Sequence, residues 1–158
     1  MPISPENRLS ELGIALPDPA APVANYVPAS RTGNLLMVSG QLGFDLEGKL
    51  TAIGKVGAEV SVEEAKAAAR LCAINILAQA KASLGSIDKI VRIVRLGGFI
   101  AATPEFTQHP AVMNGASDLM VEVFGEAGRH ARSAVGMTIP LNYAVEIELI
   151  VEVQSPTG

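Results

Sequence analysis

One arginine and three glutamates in the segment 132–153 are the residues of this sequence best placed to do chemistry. Arg132 opens the segment, and Glu146, Glu148 and Glu152 recur at even positions near its end. An arginine offers a planar, permanently charged fork that matches a carboxylate, whereas a glutamate can accept or donate a proton. An arginine on one strand and a glutamate on the next strand would form a concave cationic site able to hold a small carboxylate. The alternative is that these side chains merely line a solvated sheet face.

The segment is predicted to form two strands joined at 140–142, because β-branched residues dominate it and apolar residues recur at every second position. Alternation sorts the side chains of a strand by face. In the second strand the odd positions form an apolar face, and the glutamates lie opposite with Ile150. We expect Arg132 and Ala134 to share this mixed face with the glutamates. Such a face suits neither solvent nor a monomer core, so we expect an oligomer to cover it.

Local signals define the other elements. The helix at 62–84 is the clearest, because Ser61 and Glu64 form a capping box and Gly85 follows its last residue. Towards the N-terminus we predict a helix at 4–14 with Ser4 as N-cap, an extended segment at 17–28, and a strand that is opened by Tyr26 and Val27 and paired with 34–43. A further strand is predicted at 87–101, and its apolar run ends at 97–98. Residues 103–105 are predicted to open a turn or short helix, and a helix restarts at Pro110, ends at Phe124 and is packed closely around Gly115. This order predicts an α+β fold, a sheet with helices on one face.

Length, charge and composition narrow the function classes. The 158 residues fit one domain, and a net charge of −4 gives no long-range attraction to nucleic acid or anionic lipid. Cys72 is the only cysteine and His109 and His130 are the only histidines, so neither a disulfide nor a zinc site is expected. No apolar stretch approaches the ~18 residues of a membrane span, and the N-terminus lacks the apolar run of a signal peptide. We therefore expect a cytoplasmic protein without a metal or other cofactor.

Six short motifs follow one another along the chain. They are Tyr26-Val27, Ser39-Gly40-Gln41, Asn114, Ala131-Arg132-Ser133, Pro140 and Val145-Glu146-Ile147-Glu148. In this order they resemble the Rid family (YjgF-type, long labelled endoribonuclease L-PSP). The resemblance covers about 26–153. Residues 1–20 are predicted to be an N-terminal extension of a single Rid-like domain at 21–158, and the spacing at 44–60 and 97–110 resembles a longer subgroup of the family.

The resemblance implies a chorismate-mutase-like fold with two helices on one face of the sheet, assembled as a homotrimer with ligand clefts between subunits. It also implies hydrolysis of reactive enamines and imines, such as 2-aminoacrylate, to 2-keto acids and ammonia. By the same resemblance Arg132 binds the substrate carboxylate, Glu146 orients or activates the attacking water, and Tyr26 holds that water or the substrate. The implied substrate-binding residues are Ser39, Gly40, Asn114 and Ala134. The family's usual cysteine is replaced here by Ala134, which keeps a backbone contact and loses the thiol.

Two other functions stay open on the sequence. The Arg132 cleft could hold a metabolite carboxylate without turnover, as a binding or sensing module. A ribonuclease would follow the older family label, but the acidic charge and an aromatic content of only 4% count against RNA binding. A triad of Ser39, a histidine and Asp45 has no support in the spacing.

Overall fold

A five-stranded mixed sheet with two long helices on one face forms the domain in our computed structural model, which describes residues 2–156. The helices and strands are α1 (Pro5–Glu11), β1 (Ala29–Thr32), β2 (Leu35–Leu42), α2 (Val62–Leu84), β3 (Ile90–Ala101), α3 (His109–Phe124), β4 (Ala131–Met137) and β5 (Val145–Val153). Short 3-10 turns occupy Ile87–Lys89, Gly125–Gly128 and Pro140–Asn142. The predicted α+β architecture is confirmed.

Helix α2 has the predicted bounds, because both of its ends are fixed by local hydrogen bonds. Ser61 Oγ accepts from the Glu64 N–H at 3.1 Å, and Glu64 Oε2 accepts from the Ser61 N–H at 2.8 Å. Gly85 closes the helix with a φ of 85°, a conformation that glycine adopts without strain. The close packing predicted around Gly115 is also confirmed, since a Cβ there would collide with the Lys66 carbonyl on α2. Small residues at this crossing let α2 and α3 pack closely.

The N-terminal helix α1 is tied to the end of α2 by one carboxylate. Ser4 is its N-cap as predicted, although the helix ends at Glu11 rather than at 14. Glu6 accepts hydrogen bonds from Lys81 Nζ at 2.9 Å, Ser86 Oγ at 3.2 Å and the Ile87 N–H at 3.1 Å. The division of the chain at residue 20 stays a prediction.

The order of the strands corrects our expectation for the C-terminal segment. The sheet runs β1-β2-β5-β3-β4, with β4 parallel to β3 and the other pairs antiparallel. Strands β4 and β5 follow each other in sequence but are not neighbours, because β3 lies between them. A glutamate on the strand next to Arg132 was therefore a wrong prediction. The alternation of apolar and polar residues along a strand shows which side chains share a face, but it does not determine which strands pair with each other.

The prediction that Arg132 shares a sheet face with the glutamates is also wrong. Paired residues on adjacent strands point to the same face, and Arg132 pairs with Leu96, which pairs with Leu149. Both leucines are buried under the helices. Arg132 and Ala134 thus lie on the helix-covered face, at its open edge along β4. The glutamates of β5 lie on the opposite, uncovered face.

Three predicted element boundaries also differ from those in the structure. Strand β1 begins at Ala29, so Tyr26 and Val27 precede the strand. Strand β3 ends at Ala101 as predicted but begins at Ile90 rather than at Ile87, because Ile87–Lys89 form a 3-10 turn. The segment 103–105 forms a turn, one of the two predicted forms, and α3 begins at His109, one residue before the predicted restart at Pro110.

The core lies between the sheet and the two long helices, and Cys72 is buried in it. The uncovered face carries exposed apolar side chains among the charges, including Met37 on β2 and Val135 and Met137 on β4. Among the helices within residues 2–156, none combines the length and the apolar character that a membrane span requires.

Candidate functional site

Arg132 is held by the helix above it through one edge of its guanidinium. Its Nη1 donates to Asn114 Oδ1 at 2.8 Å and to Ser117 Oγ at 3.0 Å, both on α3. The structure thus brings together two of the predicted site residues, Arg132 and Asn114. Within the described residues both hydrogen bonds use Nη1, so the Nε and Nη2 edge stays available. Two parallel N–H groups on one edge match the two oxygens of a carboxylate.

A histidine that no sequence pattern placed near Arg132 extends this network. The Nδ1–H of His130 donates to the Gly128 carbonyl at 2.6 Å, which leaves Nε2 of the neutral ring as an acceptor. The Ser117 hydroxyl lies 2.9 Å from that Nε2 and donates to it. The Ser117 oxygen therefore presents a lone pair to Arg132. Sequence reasoning missed Ser117 and His130 because their contact with Arg132 depends on how α3 packs on β4; the helical position of Ser117, one turn after Asn114, was the one available signal.

Glu146 occupies a second position, on the uncovered face of β5. A Cβ built on Gly40 would lie 2.8 Å from Glu146 Oε1, so the carboxylate packs directly over the Gly40 backbone. Gly40 lies where the pairing of β2 with β5 is irregular, between Val38 and Gln41. Burial of the half-buried carboxyl, together with the nearby charge of Glu148, raises the pKa of Glu146 above its ordinary value. A carboxyl with a raised pKa is suited to proton transfer near neutral pH.

Tyr26 and Ser39 lie on the same side of the molecule as Gly40. Ser39 Oγ donates to the Val27 carbonyl at 2.8 Å, and the Ser39 N–H donates to the Pro28 carbonyl at 2.9 Å. These bonds fix the segment that carries Tyr26 against the irregular part of β2. Tyr26 and Gly40 line a common pocket of about 370 Å³.

The seven predicted site residues thus fall into two groups within one chain. Arg132, Asn114 and Ala134 lie at the β4 edge of the helix-covered face, whereas Glu146, Gly40, Ser39 and Tyr26 lie around β2 and β5. Strand β3 separates the two groups, which puts the β4 and β5 backbones roughly 9 to 10 Å apart at the usual strand spacing. One chain by itself does not place the guanidinium of Arg132 beside the carboxylate of Glu146.

The candidate site contains one guanidinium, one carboxylate, hydroxyls and amides. In the part of the chain that the structure describes, no three histidine, cysteine, aspartate or glutamate side chains converge as metal ligands. The guanidinium of this set can bind an anion, and the carboxylate can transfer protons.

Comparison with known proteins agrees with the fold. The sequence profile of the family described as "YjgF/chorismate mutase-like, putative endoribonuclease" matches residues 6–153. The Trypanosoma cruzi protein described as Protein TCP17 is 47% identical over 151 residues, covering 94% of this chain and 93% of that protein.

Solved structures agree as well. The Agrobacterium tumefaciens protein Atu1372, described as of unknown function, is 53% identical, with a TM-score of 0.88 over 95% of this chain and 92% of that one. RidA from the Antarctic bacterium Psychrobacter sp. is 30% identical, with a TM-score of 0.59 over 86% of this chain and 94% of that one.

Proposed function

The chain belongs to the YjgF/Rid family, and on that premise we propose that it is a hydrolytic deaminase of reactive enamines and imines. The proposed substrates are 2-imino acids and their enamine tautomers, and the products are a 2-keto acid and ammonia. The observation that carries the proposal is the anchored guanidinium of Arg132. Two hydrogen bonds on Nη1 fix its orientation and leave the opposite edge for a carboxylate.

The proposed site is shared between subunits of a homotrimer. Arg132 and Asn114 of one subunit supply the carboxylate-binding half, and Glu146, Tyr26, Ser39 and Gly40 of the next supply the acid–base half. Two observations support this arrangement. The two halves lie on opposite faces of one sheet, and the face that carries Glu146 is lined by exposed apolar side chains that suit a subunit contact.

The reaction needs orientation and one proton-transfer group. An enamine substrate first takes a proton from solvent on its methylene carbon and becomes the iminium ion, the protonated imine. Water then adds to the iminium carbon while Glu146 accepts a proton from that water, giving a neutral carbinolamine. Glu146 returns this proton to the nitrogen, and the C–N bond breaks as the C=O bond forms. Ammonia leaves, and the hydroxyl proton of the carbinolamine passes to Glu146 and then to solvent, which balances the proton taken up in the first step. Tyr26 holds the water or the substrate, and Arg132 fixes the carboxylate throughout.

A binding module without turnover is the second candidate. Ala134 favours it, because the alanine lies on the same strand face as Arg132 and offers no side-chain thiol or hydroxyl to a ligand. Such a module would use the same Arg132 half-site to hold a metabolite carboxylate.

One experiment separates the candidates. 2-Aminoacrylate is generated in situ by a pyridoxal-dependent lyase acting on serine, and 2-imino acids by an amino acid oxidase acting on leucine. Keto acid and ammonia release are then followed with wild type, Arg132→Ala and Glu146→Gln. If the wild-type protein accelerates the release of keto acid and ammonia and both variants lose this acceleration, the deaminase proposal is supported. Binding of 2-keto acids that depends on Arg132, without acceleration, supports the binding module. RNA cleavage that survives Arg132→Ala indicates a contaminant or an unrelated site.

A further inference from the structure

The pocket beside Glu146 has walls that differ chemically from the rest of the site. We name it the Tyr26 pocket; its rim and walls include Pro22, Val23, Tyr26, Gly40, Leu141 and Tyr143. All 13 residues that line it are uncharged. Four further surface pockets within residues 2–156 each include at least one charged residue. An uncharged, largely apolar lining selects an apolar group.

The two glutamine side chains that line the Tyr26 pocket are already hydrogen-bonded to the protein. Gln79 Nε2 donates to the Ala20 carbonyl at 2.8 Å and approaches Gln41 Oε1 at 3.5 Å, while Gln41 Nε2 donates to the Ser39 carbonyl at 3.1 Å. These bonds also fix the wall formed by residues 20–23 against α2. A ligand group in this pocket therefore meets mainly aliphatic and aromatic surface, with the hydroxyls of Tyr26 and Tyr143 as the remaining polar side-chain groups.

The rim holds large apolar side chains in water. Val23 is 94% exposed, Tyr26 is 52% exposed and Leu141 is 78% exposed. Leu141 also has a φ of 60° and a ψ of 19°, in the left-handed region that disfavours a branched side chain. Strained residues cluster at ligand-binding positions, and here the strain holds an apolar side chain at the mouth of the pocket.

The Tyr26 pocket adjoins the acid–base half of the site. Gly40 lines the pocket, and its backbone lies against the carboxylate of Glu146. A substrate whose reacting carbon lies beside Glu146 can extend the rest of its skeleton into the pocket. The pocket volume of about 370 Å³ is within the range of small-molecule sites.

We propose that the Tyr26 pocket binds the side chain of the substrate, and that the preferred substrates are 2-imino acids with an uncharged apolar side chain larger than the methylene group of 2-aminoacrylate. This inference rests on the proposed function and names its substrate class. Val23 and Leu141 are the specificity-determining residues at the rim.

The test measures dissociation constants of 2-keto acids, the product class, by calorimetry. We expect 4-methyl-2-oxopentanoate to bind roughly 10- to 50-fold more tightly than pyruvate, because three further carbon atoms are buried. 2-Oxoglutarate, which carries a second charge, should bind no better than pyruvate. Val23→Ser and Leu141→Ser should each reduce the preference several-fold and leave pyruvate binding unchanged. Leu46→Ser is the matched control, since Leu46 is 66% exposed and does not line this pocket.

Each other outcome has a defined meaning. Equal affinity for all three acids, or a preference for pyruvate or 2-oxoglutarate, overturns the inference and leaves the proposed function standing. If no keto acid binds, the proposed function fails. The uncharged ketone 4-methylpentan-2-one then tests the pocket alone. If its affinity is the same for wild type and Leu141→Ser, the inference about the pocket is overturned. A change of oligomeric state in Leu141→Ser, measured by light scattering, overturns the inference by making the rim a subunit contact. Leu141→Gly, which relieves the backbone strain, keeps the test independent of folding.

Discussion

The Nη1 atom of Arg132 lies 3.0 Å from Oγ of Ser117, and the same hydroxyl lies 2.9 Å from Nε2 of His130. Because the His130 Nδ1–H donates to the Gly128 carbonyl, the neutral ring accepts from Ser117 and the serine oxygen accepts from Arg132. The three side chains form a directed chain of hydrogen bonds that begins at the guanidinium and ends at the Gly128 carbonyl. The orientation of Arg132 thus depends on residues that never contact the proposed substrate.

We expect Ser117→Ala to weaken substrate carboxylate binding through Arg132. Loss of a hydrogen bond to a charged group costs about 1.5–3 kcal/mol, which sets an upper limit of roughly 10- to 150-fold on KM. Since Arg132 keeps its bond to Asn114, we expect about tenfold in KM and a smaller change in kcat. Ser117→Thr keeps the hydroxyl and should restore most of the affinity. Steady-state kinetics measures both; an unchanged KM in Ser117→Ala contradicts the positioning role.

Replacing Arg132 with lysine should be almost as harmful as replacing it with alanine. An ammonium cannot present two parallel N–H groups to a carboxylate. We expect kcat/KM to fall about 100-fold in both variants, with keto acid affinity falling in parallel. The matched control is Arg129→Ala, because Arg129 makes only an exposed pair with Glu126 at 3.2 Å. Full activity in Arg132→Lys would show that the carboxylate is not held in a bidentate manner.

Mixed oligomers test whether the site is shared between subunits. Arg132→Ala and Glu146→Gln chains are each inactive by expectation. When they are denatured and refolded together at a 1:1 ratio, about a quarter of the inter-subunit sites combine an intact Arg132 with an intact Glu146. We therefore expect about a quarter of the wild-type rate per site. A mixture that stays inactive, although native mass spectrometry shows mixed trimers, places both residues of a working site in one chain.

The charge of Glu148 should control the pH profile of the reaction. Burial and then the charge of Glu148 raise the pKa of Glu146. Glu148→Gln removes the second cause, so the acid limb of kcat/KM, which follows ionisation of Glu146, should move to lower pH. Glu152→Gln is the control, because that carboxylate lies farther along the same face and is paired with Arg92 at 2.8 Å. A profile unchanged in Glu148→Gln excludes Glu146 as the titrating group.

We expect Glu146→Gln to lower the activity and to raise the thermal stability at pH 8. A carboxyl whose pKa is raised by folding stabilises the protein most below its unfolded value, near 4.5, and loses that contribution as the pH rises through the folded value. The glutamine variant should therefore have a higher Tm than wild type at pH 8 and a similar Tm at pH 4. Thermal unfolding at the two pH values measures this difference. A lower Tm at pH 8 contradicts it.

The contribution of Glu6 to stability should depend on pH in the opposite sense to that of Glu146. Burial opposes its ionisation, but the hydrogen bonds from Lys81 and from the Ile87 N–H outweigh burial and lower the pKa of Glu6. Its contribution to stability is present above 4.5 and is lost as the pH falls through the lowered folded value. We expect Glu6→Gln to reduce stability by about 1–2 kcal/mol at pH 7, or a few degrees in Tm, with kcat unchanged. Glu11→Gln, which alters only an exposed pair with Arg8, should change the Tm little.

Much of the secondary structure is determined by short-range signals that the sequence displays directly. The capping box of Ser61 and Glu64 and the cap at Gly85 fix α2 with hydrogen bonds between residues a few positions apart. The same holds for Ser4 at the start of α1. Boundaries set by pairing with another strand were less predictable, as at β1, which begins at Ala29, opposite Val38 of β2, rather than at Tyr26.

The sequence by itself determined which side chains alternate on each strand, the two long helices, and the set of residues that resembles the Rid family. Only the tertiary structure decided which face Arg132 occupies and what it touches. A strand period of two assigns residues to two faces but does not say which face the helices will cover. That choice follows from β4 pairing with β3 rather than with β5, and it places Arg132 against Asn114 and Ser117 and away from Glu146.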